Sequence, residues 1–191
     1  MTWLVSTLAF ALASHGVDAT PLFPDMGTAS PLALTDAVTD RPLLPELRGR
    51  SVLVSFISAT CREICPMTEE TFAEVARALR LKGDISRVQL VLVTVDPVTD
   101  TKPHLRALAH KLGYNRDALH FATGSPQQIG RLLRAYGVAV HFRKGTRDDP
   151  DHTVALYLID PNWHVRYDFG PRYPASAIAR LTDQFIHSRT R

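Results

Sequence analysis

The sequence predicts an α/β fold with a central mixed β-sheet flanked by helices and an N-terminal β-hairpin. Three observations predict it. Ser51-Val-Leu-Val-Ser-Phe-Ile-Ser58 and Val88-Gln-Leu-Val-Leu-Val-Thr-Val95 are short apolar runs without alternation, as strands covered on both faces are. Segments of helical periodicity separate the strands, which implies parallel βαβ units. Near the end, Asp160-Pro-Asn162 turns Val154–Ile159 back into His164–Asp168, adding an antiparallel hairpin at the edge.

The elements follow in chain order. Met1 to Ala13 is an apolar run shorter than the ~20 residues that span a bilayer. It fits the apolar core of a secretory signal, and Val17-Asp18-Ala19 places small residues before a cleavage point after Ala19. No Lys or Arg precedes the run, and a buried helix is the competing reading. We read 1–19 as a signal peptide or short membrane-targeting segment, and 20–31, with Pro21, Pro24, Gly27 and Pro31, as a linker. One domain follows over 32–191. Leu32–Thr35 and Arg41–Leu44 flank a small hairpin around Asp36 to Asp40. After the first long strand a helix begins near Pro66, with Glu69 and Glu70 in its opening turn. Phe72, Val75 and Leu79 form its apolar stripe, and Gly83 stops it. Leu105, Leu108 and Leu112 mark a second helix, Ile129, Leu132, Leu133 and Tyr136 a third, and Ile178, Leu181 and Phe185 the last. A short strand is expected at Leu119 to Ala122. This β-α-β-α-β-α-β-β-α order is that of a thioredoxin-like fold, which by itself assigns no function.

Composition narrows the function classes. Of 191 residues 45% are apolar, enough for one sizeable core. The formal charge of +3 is scattered, and no basic run interleaved with aromatics points to nucleic acid. The two cysteines, Cys61 and Cys65, are the only ones, which excludes a scaffold built on disulfides.

Those two cysteines carry the chemistry. Thr60-Cys61-Arg-Glu-Ile-Cys65-Pro66 lies where the first long strand hands over to a helix, the usual ligand position in open α/β sheets. A helix N-terminus favours thiolate over thiol. Residues i and i+4 share a side of a helical turn, so two sulfurs can converge on one soft ion or form a disulfide. A dithiol oxidoreductase normally uses CxxC, one residue shorter. Structural zinc takes four closed ligands, and there is no second pair. Copper(I) prefers sulfur and accepts few ligands, so two thiolates and one imidazole suit it. Of eight histidines, His152 stands out by position. It follows Asp151 and opens the strand Val154 to Ile159, where a thioredoxin-like sheet brings the chain beside the cysteine loop. Asp151 is either a second-sphere partner of the imidazole or a turn cap. Met67 reads as core packing rather than a soft contact, and Asp96-Pro97 as a structural turn.

Cys61 to Pro66, Asp151-His152-Thr153, Thr94-Val-Asp-Pro97 and Tyr157-Leu-Ile-Asp-Pro161, in this order, resemble the Sco/SenC family of copper proteins. The resemblance covers Leu32 to Ile186. It implies a copper metallochaperone that delivers copper to the CuA site of cytochrome c oxidase subunit II, with Cys61, Cys65 and His152 as ligands. It also implies export, facing the periplasm, and attachment to the membrane in most relatives; we expect a monomer. The alternative is a thiol–disulfide oxidoreductase that keeps a client's metal-site cysteines reduced through Cys61 and Cys65. The chain departs from the family at Arg62 (often Pro), at Ser58 and Ala59 (often an aromatic) and at Met67 (often Thr).

Overall fold

The structure, a computed structural model, describes residues 23–60, 65–113, 118–142, 145–146 and 150–188, with the backbone alone at 65 and 66. The first apolar run forms β2 (Ser51–Ile57) and the second β3 (Val88–Thr94), every residue of both being buried. They pair in parallel from Ser51↔Val88 to Ile57↔Thr94. β4 (Leu119–Thr123) continues the parallel set beside β3. β7 (Leu156–Ile159) pairs antiparallel with β2 on the other side, and β8 (Val165–Phe169) with β7. The short β1 (Thr35–Asp36) pairs antiparallel with β4, giving a mixed six-stranded sheet of order β1-β4-β3-β2-β7-β8.

Alternation along each buried strand divides the core in two. Leu53, Ile57, Leu90, Leu92 and Phe121 face one layer, in which α2 (Cys65–Leu81) contributes Phe72, Val75 and Leu79, α3 (Lys102–Lys111) Leu105, and α5 (Ala175–Ser188) Ile178 and Phe185. Val52, Val54, Phe56, Val91 and Val93 face the other, covered by Leu47 of α1 (Leu44–Leu47) and by Ile129, Leu132 and Leu133 of α4 (Pro126–Ala135). A strand with apolar side chains in both directions has to be sandwiched in this way. The helix stops are those expected from the glycines. Gly83 takes φ +80°, and the Asp84 N–H donates to Leu79 O at 2.9 Å, closing α2.

Two expectations need correction, and the N-terminal hairpin is present as expected. The stretch 20–31 is not a free linker in its described part. Met26 N–H donates to Val165 O and Val165 N–H to Gly27 O, both at 2.9 Å, and Ala29 is 3% exposed. An open edge strand offers unpaired backbone groups, and here residues 26–29 cover the edge at β8. The folded unit therefore begins ahead of Leu32. The N-terminal hairpin closes through Asp36 N–H to Arg41 O and Leu43 N–H to Leu34 O, both 2.9 Å, while β1 itself is drawn into the main sheet. The strand read from Val154 starts at Leu156 instead, because Asp151–His152 forms β6, which pairs with β5 (Val140–His141) in a separate small sheet. The segment 1–19 lies outside the described residues.

Candidate metal site

The site is positioned by the carboxyl ends of β2 and β3. β2 leaves the sheet at Ser58, whose Oγ accepts the Thr60 N–H at 3.3 Å and bonds Thr60 Oγ1 at 3.0 Å, forming a tight turn at the start of the cysteine loop. Cys61 lies outside the described residues. Cys65 opens α2, which sets its backbone at a helix N-terminus as the sequence predicts.

His152 reaches the same end of the sheet from the other side. Leu156 of β7 is opposite Ser55 of β2, and Ser55 Oγ donates to Ala155 O at 2.7 Å. The three residues between His152 and β7 are thereby anchored at the end of β2 from which the cysteine loop departs. Thr153 holds the other side, with its N–H donating to Ala139 O at 3.0 Å and its Oγ1 accepting the Ala139 N–H at 3.1 Å.

The imidazole is half-buried, and its Nδ1 lies 3.1 Å from Thr153 O. A carbonyl only accepts, so Nδ1 carries the hydrogen and the neutral ring has its lone pair on Nε2. Burial holds the His152 pKa below the usual histidine range, against the opposing effects of the Thr153 carbonyl and the Asp151 charge. A neutral ring oriented by a backbone carbonyl is the form that ligates metal. The orienting bond comes from Thr153, and Asp151 contributes through its charge.

Two residues near the loop escape a sequence reading. Glu69, expected in the opening turn of α2, is 4% exposed there, and Asp100 is 1% exposed. The apolar stripe of α2, read backwards from Phe72 by three or four positions, reaches Thr68 and Glu69, which is the signal that places them inward. Asp96 meets its expectation as a turn residue, accepting the Val98 N–H at 3.2 Å and bonding Asp100 N–H through its carbonyl at 2.9 Å. Met67 is the reverse case. It is 66% exposed, so it is not core packing. It lines an apolar cavity of about 370 Å³ with Thr71, Val154, Leu156, Phe169 and Tyr173.

His141 pairs with Asp151 in the small sheet that carries His152, and four other histidines are placed elsewhere. His104 and His110 are on the exposed side of α3. His120 is 1% exposed and is bonded on both ring nitrogens, by Asp36 Oδ2 at 2.8 Å and by the Gln89 side chain at 2.6 Å. His187 approaches Asp84 and Asp183, their ligand atoms lying within 4.8 Å of one another. That group belongs to the opposite end of the sheet, and the Lys82 ammonium already pairs with Asp183 at 2.6 Å.

Comparison with known proteins decides the family. The SCO1/SenC family profile matches residues 29–187, which include both the cysteine motif and Asp151-His152. The chain belongs to the SCO1/SenC family. The mitochondrial SCO2 homolog of Bos taurus is 33% identical over 122 residues, which are 61% of this chain and 44% of that protein. A putative copper-binding protein of Stutzerimonas stutzeri is 30% identical over 175 residues, 86% of this chain and 80% of that one. The chain thus spans under half the length of the SCO2 homologs it matches. The copper-bound structure of Bradyrhizobium japonicum ScoI superposes with a TM-score of 0.70 at 23% identity, covering 83% of this chain and 99% of that one. Copper-bound yeast Sco1 superposes with a TM-score of 0.71 at 20% identity, covering 84% and 89%. This SCO1/SenC protein therefore has the Sco thioredoxin-like fold.

Proposed function

We propose that this SCO1/SenC protein binds copper through Cys61, Cys65 and His152 and serves in the assembly of cytochrome c oxidase by delivering the ion to the CuA site of subunit II. The observation that carries the reading is the placement of a neutral, carbonyl-oriented imidazole at the end of β2 from which the CxxxC loop leaves. Two thiolates and one imidazole form a soft, low-coordinate donor set, which favours Cu(I) over the harder or four-coordinate metals. The names of the copper-bound ScoI and Sco1 structures support the same metal. Delivery then proceeds by exchange of ligands, the acceptor's thiols replacing these one at a time. We place the protein on the periplasmic side, exported through its N-terminal segment.

Competition of the reduced protein against a Cu(I) chelator tests the ligand set. One tight site is expected in the wild type, lost in Cys61→Ala and Cys65→Ala and weakened in His152→Ala. Unchanged affinity in all three variants rejects it. The position of Cys65 at a helix start also favours thiolate chemistry, which keeps the thiol–disulfide reductase as a second reading. Reduction of a client disulfide that requires both cysteines and survives His152→Ala would select that reading.

A further inference from the structure

Apolar side chains stand exposed on both sides of the cysteine loop. β3 runs parallel to β2, and β8, two antiparallel steps away through β7, runs the same way, so the turns after all three strands open at one end of the sheet. Val98, in the turn after β3, is exposed on one side of the loop. Met67, in the first turn of α2, and Tyr173, beyond the end of β8, are exposed on the other. Between Met67 and Tyr173 lies the cavity of about 370 Å³, with Thr71, Val154, Leu156 and Phe169 in its walls. Leu156 and Phe169 are cross-strand partners, and the Phe169 and Tyr173 rings meet edge to face with centroids 5.4 Å apart.

No wall residue is charged. Two of the hydroxyls are already engaged, Ser55 Oγ with Ala155 O at 2.7 Å and the Tyr173 hydroxyl with that of Tyr167 at 2.9 Å. A carboxylate, an ammonium or a phosphate would lose its water there without a counter-charge, so the cavity suits an uncharged apolar group. Glu70 and Arg172, exposed next to wall residues in the chain, are opposite in sign and give a charged partner no preference. The cavity is also continuous with the ligand segments. Met67 follows Cys65 by two residues, and Val154 follows His152 by two. Cα atoms two residues apart are at most roughly 8 Å from each other, so the backbone of both ligand positions borders the cavity. A molecule that receives the ion at those ligands must cover this surface.

We propose that the cavity is the docking pocket for the protein that exchanges copper with this one, and that it seats an aromatic or branched apolar side chain which this partner carries beside its own metal thiols. Met67, Tyr173 and Val98 form the apolar rim of the contact. Interfaces draw most of their affinity from a few such buried anchors, and methionine and aromatic side chains are enriched around them. The inference rests on the reading of Cys61, Cys65 and His152 as copper ligands with a protein acceptor.

Transfer of Cu(I) from the loaded full chain to the soluble CuA domain of subunit II tests it. Thr71→Trp fills the cavity from α2, and Met67→Gln makes its rim polar. Both variants are expected to keep the wild-type Cu(I) affinity in chelator competition. At low acceptor concentration Thr71→Trp should slow transfer by about tenfold or more and Met67→Gln by less, with both differences closing at saturating acceptor. Should Thr71→Trp fail to fold, Met67→Gln, altered at an exposed position, decides. Wild-type rates at low acceptor, or a loss that persists at saturation, overturn the proposal. So does sedimentation that shows a wild-type dimer dissociated by Thr71→Trp, since a second copy then fills the cavity. If the wild type binds no Cu(I), or binds it and passes none to this domain, the copper reading itself falls, a distinct outcome that takes this inference with it.

Discussion

His152 lies beside the carboxyl end of β2 and His120 near the start of β4 in the main sheet, and the contrast between them shows what makes a histidine available to a metal. His120 lies near the start of β4, buried, with a carboxylate on one ring nitrogen and an amide on the other. Both of its polar atoms are spent on joining β1 to β3 and β4. His152 lies at the carboxyl end, half-buried, in a two-residue strand that belongs to a separate small sheet. Its bond to Thr153 O fixes the tautomer with the hydrogen on Nδ1. Burial alone does not separate the two roles; what separates them is place, His152 beside the end of β2 from which the cysteine loop leaves and His120 between three strands of the main sheet.

The comparison breaks first, and by the largest amount, at His120. His120→Ala leaves the Asp36 carboxylate and the Gln89 amide buried without their partner. Each buried polar group left without its hydrogen-bond partner costs about 1–3 kcal/mol, and here there are two. Denaturant unfolding should show that loss, while Cu(I) affinity of the folded fraction stays at the wild-type value. A stable His120→Ala protein with weakened copper binding would reverse the roles assigned to the two histidines.

Glu69 gives the next effect, through pH. Its folded pKa, about 7, is above the 4.5 of an ordinary glutamate, so the folded protein holds this proton more tightly than the unfolded chain does. Stability from this group is full below pH 4.5 and is lost as the pH rises to about 7. The Glu69→Gln variant lacks that loss. Its stability relative to wild type should therefore rise across the interval, by roughly 1–3 kcal/mol at most. Parallel stability curves for the two proteins would show that Glu69 does not titrate there.

His152→Ala ranks below these in stability and above them in function. The ring is only half-buried, so unfolding should shift by no more than about 1 kcal/mol. Losing one of three ligands should still lower Cu(I) affinity by tenfold or more, an order of magnitude that even outer-shell partners of metal ligands reach. Chelator competition reads it.

How much of this was visible in the residues differs between the same two regions. The parallel centre of the sheet was legible because seven-residue strands buried on both faces need apolar side chains in both directions, and few other segments have them. His152 was legible because Asp151-His152 stands next to such a strand. What stayed hidden depends on contacts distant in sequence. Nothing near His120 announces Asp36, 84 positions earlier, or Gln89. Glu69 looked like a dipole-capping acid, since its inward direction comes from the α2 stripe packing on the sheet. β6 escaped notice because two residues carry no periodicity, and residues 26–29 because edge pairing needs no apolar pattern.

His187 sets the lower bound of the comparison. It is 54% exposed in its side chain, lies 3.5 Å from Asp84 and 3.4 Å from Asp183, and belongs to the last turn of α5. Two carboxylates and an imidazole this close resemble a ligand set on paper. Lys82 supplies a positive charge to Asp183, however, and holds the Asp183 carboxyl below its usual range, so the group is already compensated without an ion. Exposed pairs of this kind contribute well under 1 kcal/mol. His187→Ala should shift the unfolding midpoint only slightly and leave the copper stoichiometry at one per chain. A second copper equivalent in the wild type that disappears in His187→Ala would instead show that an open, carboxylate-rich histidine competes with His152, and that position beside the cysteine loop does not by itself choose the metal's place.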